Sequence, residues 1–242
     1  MNHYVIGDVH GHYQTLISLV EKLPDDARLV FVGDLIDRGP QSAEVVRFLR
    51  KNNHLCVMGN HEDLMAYYGQ FVLNAYKNDK PIGICNEWGS NGGVETLISY
   101  GIAIMDGENL LQVKGCEEAL RQFEDDMEWM KNLPLYIELP MEHSFEKAVV
   151  VSHAPIADMW EMRSDAEKAE VFRHKILTNR RDPSGNTSIF NIFGHSPVRW
   201  RAEVTPYFVN VDTGCYMGKN GYNRLSAYCV ESGEIIEQEY VR

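Results

Sequence analysis

Asp8, His10, Asp34, Asn60, His153 and His195 are the residues of this chain whose types and positions could do chemistry together. The first four fall in three short blocks: Gly-Asp-Val-His-Gly at 7–11, Gly-Asp-Leu-Ile-Asp-Arg-Gly at 33–39 and Gly-Asn-His-Glu at 59–62. The blocks are evenly spaced, with 26 residues from Asp8 to Asp34 and 26 from Asp34 to Asn60. Two Asp, three His and one Asn exceed what one tetrahedral ion takes. They suit two divalent ions with open coordination positions. A pair of such ions roughly 3.5–4 Å apart supports in-line attack on phosphorus.

Each residue type has a reason to be there. Asp8 and His10 are two apart in a segment expected to be extended, which would turn both side chains the same way. Asp34 has two carboxylate oxygens and can give one to each ion, so it is the natural bridge. Asn60 offers a neutral oxygen. His61 is adjacent but should point elsewhere, and serves better as a general acid, with Asp37 holding its tautomer. Arg38 follows in the same block. His153 and His195 each follow an apolar run, as the three blocks do. His3, His12, His54, His143 and His174 have no such setting and read as surface or structural.

The elements that must position these residues can be traced from periodicity. Residues 4–6, 29–32 and 55–58 read as short buried strands, each leading into a block. Leu16, Leu19, Val20 and Leu23 give one intervening helix, and Val45, Val46 and Leu49 another behind Pro40. This alternation implies a parallel sheet, with ligands beyond the carboxyl ends of its strands. Residues 63–133 read as a helical excursion, with helices at 64–76 and 117–131 and a glycine-rich turn at 88–93. Glu124, Asp125, Asp126 and Glu128 are expected to form a solvated helix face. Strands at 135–139, 148–152, 189–193, 207–211 and 224–230, broken by a helix near 166–177, suggest a second, more antiparallel sheet. The fold expected is α/β: a sandwich of two mixed sheets flanked by helices, in a single domain over residues 1–242.

Composition narrows the function. The 242 residues carry a net charge of −12, with 44% apolar and 24% charged residues. An acidic chain is a poor partner for a nucleic-acid backbone. It can act on phosphate where metals and a few arginines reverse the field. No run approaches the roughly 20 apolar residues of a membrane helix, and the first residues lack the pattern of a signal peptide. Five scattered cysteines without a C-x-x-C pair favour a reducing compartment. The expectation is a cytoplasmic protein with no membrane or nucleic-acid partner.

The blocks GDVHG, GDLIDRG and GNHE, with Ser-His-Ala at 152–154 and Phe-Gly-His-Ser-Pro at 193–197, resemble the phosphoprotein phosphatase family of metallophosphoesterases. The likeness is greatest to the phage-lambda-type and bacterial serine/threonine protein phosphatases. It extends to 88–93, 133–139, Asn179-Arg180 and 211–214. The resemblance implies one ion on Asp8, His10 and Asp34, and a second on Asp34, Asn60, His153 and His195. Manganese is the metal it implies, with iron or zinc compatible. Arg38, Arg180 and Asn60 would bind phosphate oxygens, a metal-bridging hydroxide would attack phosphorus, and His61 with Asp37 would protonate the leaving oxygen. The implied substrate is phosphoserine or phosphothreonine, and potentially phosphotyrosine, in a protein or peptide. One residue departs from the pattern: Met58 stands where the family carries a phosphate-binding arginine, for which Arg181, Arg199 and Arg201 are candidate replacements. A symmetrical dinucleoside-polyphosphate hydrolase is the competing reading, from which Asp37 and Glu62 argue away. A non-catalytic phosphate-binding module is the third.

Overall fold

β1 (His3–Ile6), β2 (Arg28–Phe31) and β3 (Leu55–Cys56) run parallel and side by side in a computed structural model that describes residues 2–143, 147–185 and 187–242. The side chains of residues 142 and 143 are outside the described set, so His143 is not placed. The crossovers are α1 (Tyr13–Val20) and α2 (Ser42–Asn52). These strands are apolar on both faces because both faces are covered. Tyr4, Ile6, Leu29 and Phe31 join the core under the helices, while Val5, Val30 and Val32 face the second sheet.

α3 (Asn60–Lys77) starts directly after β3. A π-helical turn at Gly89–Gly93, α4 (Val94–Ser99) and α5 (Glu117–Lys131) follow. The stretch 63–133 is not wholly helical, since β4 (Ala103–Asp106) and β5 (Asn109–Gln112) form an antiparallel hairpin within it. The two-residue turn is Gly107-Glu108, with Gly107 at φ 60° in the first position, where a primed hairpin turn favours glycine. The acidic face of α5 is also only partly solvated. Asp126 is fully buried beside Phe123, Met127 and Met130 at helical spacing. It is ion-paired with Arg50 and accepts hydrogen bonds from Tyr100 Oη and Gln122 Nε2, both at 2.9 Å.

The second sheet contains β6 (Tyr136–His143), β7 (Lys147–Ser152), β8 (Ile189–Phe193), β9 (Glu203–Val204) and β10 (Phe208–Asn210). Its order is β6-β7-β8-β10-β9. The inner strands β7, β8 and β10 are mutually parallel and only the edges are antiparallel, so the sheet is mixed. The helical region expected near 166–177 is a short 3-10 turn followed by α6 (Ala169–Thr178). β11 (Arg224–Cys229) does not join this sheet as expected. It pairs antiparallel with β1 in the first sheet and carries β12 (Ile235–Glu239) outside it. The two five-stranded sheets pack through Val5, Val30, Val57, Val149, Ile192 and Val209. Helices cover both outer faces, completing the α/β sandwich. No helix among the described residues is long and apolar enough to cross a membrane.

Candidate active site

The parallel strands of both sheets deliver their carboxyl ends to one place. Asp8 follows β1, Asp34 follows β2, Asn60 follows β3, His153 follows β7 and His195 follows β8. The loops bind each other there: the N–H groups of Val9 and His10 both donate to the Asp34 carbonyl, at 3.1 and 2.9 Å. Close approach needs glycine. A Cβ on Gly59 would lie 2.3 Å from Asp34 Oδ1, and one on Gly194 would lie 2.1 Å from Asp8 Oδ1. The chain also turns through left-handed backbone at His10 (φ 47°), Asp34 (49°), Asp37 (72°), Arg38 (67°) and His195 (68°). Such strained positions cluster where side chains must be aimed. His10 is therefore in a turn and not in the extended segment expected for the Asp-x-His pair.

Asp34 lies at the middle of the group. Its carboxylate is 3.6 Å from His10 Nε2, 3.7 Å from His61 Nε2 and 3.4 Å from His153 Nε2. His10, Asp34 and His61 form one tight set of donor atoms, and Asp34, His153 and His195 form another. Asp8 is outside both sets. Its carboxylate accepts the His195 N–H at 3.3 and 3.2 Å. All the charged members are buried.

The donor chemistry fits divalent cations. His10 Nδ1 donates to the Ile36 carbonyl at 2.9 Å and His153 Nδ1 to the Val32 carbonyl at 2.8 Å. Each bond fixes the tautomer and leaves Nε2 as a lone pair aimed inward, as metal-ligating histidines require. His153 Nε2 faces Asn60 Oδ1 at 2.9 Å and the Asp34 carboxylate, with His195 Nδ1 at 3.0 Å, so its lone pair meets oxygen acceptors where a cation would satisfy them. Burial lowers the pKa of His10, His153 and His195, the last to about 3, which keeps them in the neutral form that binds metal. The carboxylates show the complementary excess of negative charge. Burial, with Asp212 and Asp34 nearby, raises Asp8, and burial pushes Asp212 up to about 7. Asp212 follows β10 and falls in the stretch 211–214 that the resemblance covers, but was given no role there, although its place after an apolar strand is the one the other acids occupy.

His61 and Arg38 stand beside this group. His61 Nδ1 donates to Asp37 Oδ2 at 2.6 Å. Asp37 also accepts from Thr96 Oγ1 at 2.6 Å and Trp88 Nε1 at 3.1 Å, so the glycine-rich turn and α4 clamp the carboxylate that aims the imidazole. Burial pulls the His61 pKa down, but Asp34 and Asp37 outweigh it and the result is raised. Arg38 lies over the Tyr216 ring at 4.0 Å and donates to His10 Nε2 at 2.6 Å and to His61 Nε2 at 3.0 Å. Arg180 is at the opposite side, donating to the His195 carbonyl at 3.0 Å. Glu62 has a different task. It accepts the N–H groups of Asp34, Leu35 and Gly59 at 2.8, 2.8 and 2.9 Å, tying the second block to the third. His3 bonds Glu231, His12 bonds the Val9 carbonyl and His54 packs on Phe48, all apart from the group.

A cavity of about 560 Å³ opens off Asn60 and His195, with Asp63, Arg173, His174 and Arg180 in its wall. Of the arginines considered as replacements at Met58, Arg199 and Arg201 line a different cavity. Arg173, which sequence reasoning missed, is the one that touches Met58, with Nη2 3.6 Å from Sδ.

Comparison with known proteins agrees on the chemistry and revises the substrate. The asymmetrical bis(5'-nucleosyl)-tetraphosphatase PrpE of Halalkalibacterium halodurans is 30% identical over 242 residues, covering 88% of this chain and 85% of that protein. The symmetrical bis(5'-nucleosyl)-tetraphosphatase of Coxiella burnetii is 28% identical over 209 residues, covering 84% of this chain and 57% of the relative. A solved structure assigned as a diadenosine tetraphosphatase superposes with a TM-score of 0.59 at 20% identity, covering 98% of this chain and 92% of the other. A serine/threonine phosphatase of Saccharomyces cerevisiae superposes with a TM-score of 0.58 at 16% identity, covering 100% and 81% respectively, which is a likeness of fold alone. The expectation of a phosphoprotein substrate is thereby corrected. It rested on Asp37 and Glu62, and neither discriminates substrates. Asp37 orients His61 and Glu62 fastens loops, tasks that do not read the substrate's leaving group. Residues 1–199 match the model described as calcineurin-like phosphoesterase, and the chain belongs to that family.

Proposed function

We propose that this chain is a metal-dependent hydrolase of dinucleoside polyphosphates. The observation that carries the reading is the cavity off Asn60 and His195, which has room and a further wall arginine, Arg173, beyond what one phosphate needs. The names of the relatives support it. Asp8, His10 and Asp34 would hold one divalent ion, and Asp34, Asn60, His153 and His195 the second. Manganese is the proposed metal, the mixed oxygen and nitrogen set also suiting iron or zinc. When bound, such a pair supplies activated water and neutralises charge on phosphoryl oxygens.

The remaining work falls to side chains. Arg38 and Arg180 flank the group and would grip phosphate oxygens with their planar forks, assisted by the Asn60 amide. Arg38 currently takes the lone pairs of His10 and His61. A phosphate that draws it away frees His61 Nε2 to carry a proton. His61, aimed by Asp37, then gives that proton to the departing phosphate oxygen. The test is product analysis on diadenosine tetraphosphate with added manganese. Two nucleoside diphosphates would indicate symmetrical cleavage, and a mono- with a triphosphate asymmetrical cleavage. Absence of any nucleotide product while p-nitrophenyl phosphate is hydrolysed would overturn the reading.

A further inference from the structure

We propose that Arg173 binds the phosphates lying beyond the one attacked, serving from α6 in place of the arginine absent at position 58; this rests on the polyphosphate reading above. Arg173, in the cavity wall, touches Asp63 of α3 and Met58, which precedes that helix. Its Nη2 is 3.6 Å from Met58 Sδ, and the guanidinium is ion-paired with Asp63. Met58 is buried beneath it, 3% exposed. A neutral thioether there accepts a guanidinium on top of it, whereas a second cation at 58 would repel Arg173. The Met58 and Arg173 identities therefore belong together.

Position along α3 says which phosphate Arg173 would meet. Asp63 is three residues after Asn60, so the two share a helix face and are separated by roughly one turn, a rise of about 4.5 Å. Arg173, held at Asp63, is thus one step outward from the metal-ligand group along the same cavity wall. A monophosphate ends short of that step and a phosphate chain crosses it. Arg173 is also free to move. The pair with Asp63 is 39% and 42% exposed, and an exposed pair of this kind is weak. Exchange of one carboxylate for two phosphate groups favours the phosphates, because they present more negative charge and more acceptor oxygens to the guanidinium fork. The rest of the wall contains Glu87 and Glu170, so an anion there depends on Arg173 and Arg180.

The test uses the metal-loaded full chain and two inorganic probes, orthophosphate and tripolyphosphate, as inhibitors of p-nitrophenyl phosphate hydrolysis. The readout is the ratio of the two inhibition constants, which cancels general losses of activity. Arg173→Ala is expected to reduce the preference for tripolyphosphate about tenfold or more, the loss typical of one charge-assisted contact. Arg173→Lys should keep part of it. Asp63→Asn releases Arg173 and should increase the preference, which provides an arm should Arg173→Ala fail to fold. An Arg173→Ala ratio equal to that of the unaltered chain, or a lowered preference in Asp63→Asn, would overturn the proposal. A reduced ratio in Arg173→Ala, together with no cleavage of diadenosine tetraphosphate by the unaltered chain, would fault the substrate reading and leave the role of Arg173 standing.

Discussion

Replacing His61 with Asn should slow hydrolysis in proportion to the leaving oxygen's need for a proton. The imidazole donates from Nδ1 to Asp37 at 2.6 Å, so Nε2 is the end available for proton transfer. Asp37 is fully buried and held by Thr96 and Trp88, which fixes the ring. A positioned acid contributes about 10²–10⁴-fold, equivalent to about 2.7–5.4 kcal/mol at 1.36 kcal/mol per decade. The full effect applies to phenyl phosphate, whose leaving phenolate is about as basic as tyrosinate, near pKa 10. A departing phosphate oxygen has a pKa of about 6, so diadenosine tetraphosphate should lose roughly tenfold or less. p-Nitrophenyl phosphate, with its stabilised anion, should behave likewise. Asp37→Asn should give the same order of losses in weaker form. The assay is kcat on the three substrates, with bound metal measured on each variant. Equal losses on all three would refute the acid role. Loss of an ion from His61→Asn would make His61 a ligand, as its tight set with His10 and Asp34 would allow.

Asp34→Asn should strip both ions and most activity, because three histidine nitrogens converge on that carboxylate; metal analysis that finds two retained ions in an active variant would contradict this. Glu62→Ala leaves three buried backbone N–H groups without their acceptor, and at about 1–3 kcal/mol for each unmet group it should lower stability by several kcal/mol and weaken metal retention. Unfolding in denaturant and a metal titration would check both. Asp126→Ala, which removes the partner of Tyr100 and Arg50, should cost about 3 kcal/mol, with kcat per folded molecule unchanged. A denaturant midpoint equal to that of the unaltered chain would show that Asp126 contributes nothing there.

That the candidate ligands converge was legible because each block follows a short apolar strand, and parallel strands carry their carboxyl ends to one edge. Asp212 obeys the same rule after β10 and could have been found by it. Thr96 and Trp88 could not, because nothing local in α4 or the glycine-rich turn reveals that they meet Asp37. The sheet assignment failed at β11, where an alternating apolar strand fits either sheet and only its antiparallel pairing with β1 decides. Asp126 was misread because four acids within five residues look solvated, while helical spacing puts one of them beside Phe123, Met127 and Met130. The substrate was misread because the residues used to choose it, Asp37 and Glu62, orient and fasten. Met58, which departs from the family pattern, and Arg173 are 115 residues apart and meet only in the fold.

The most direct test of the account compares kcat/KM of the manganese-loaded chain on diadenosine tetraphosphate and on a phosphoserine peptide in the same buffer. A cavity with Arg173 and Arg180 beside Asn60 and His195 predicts the higher value for the tetraphosphate. A higher value for the peptide, with the tetraphosphate left intact, would contradict it.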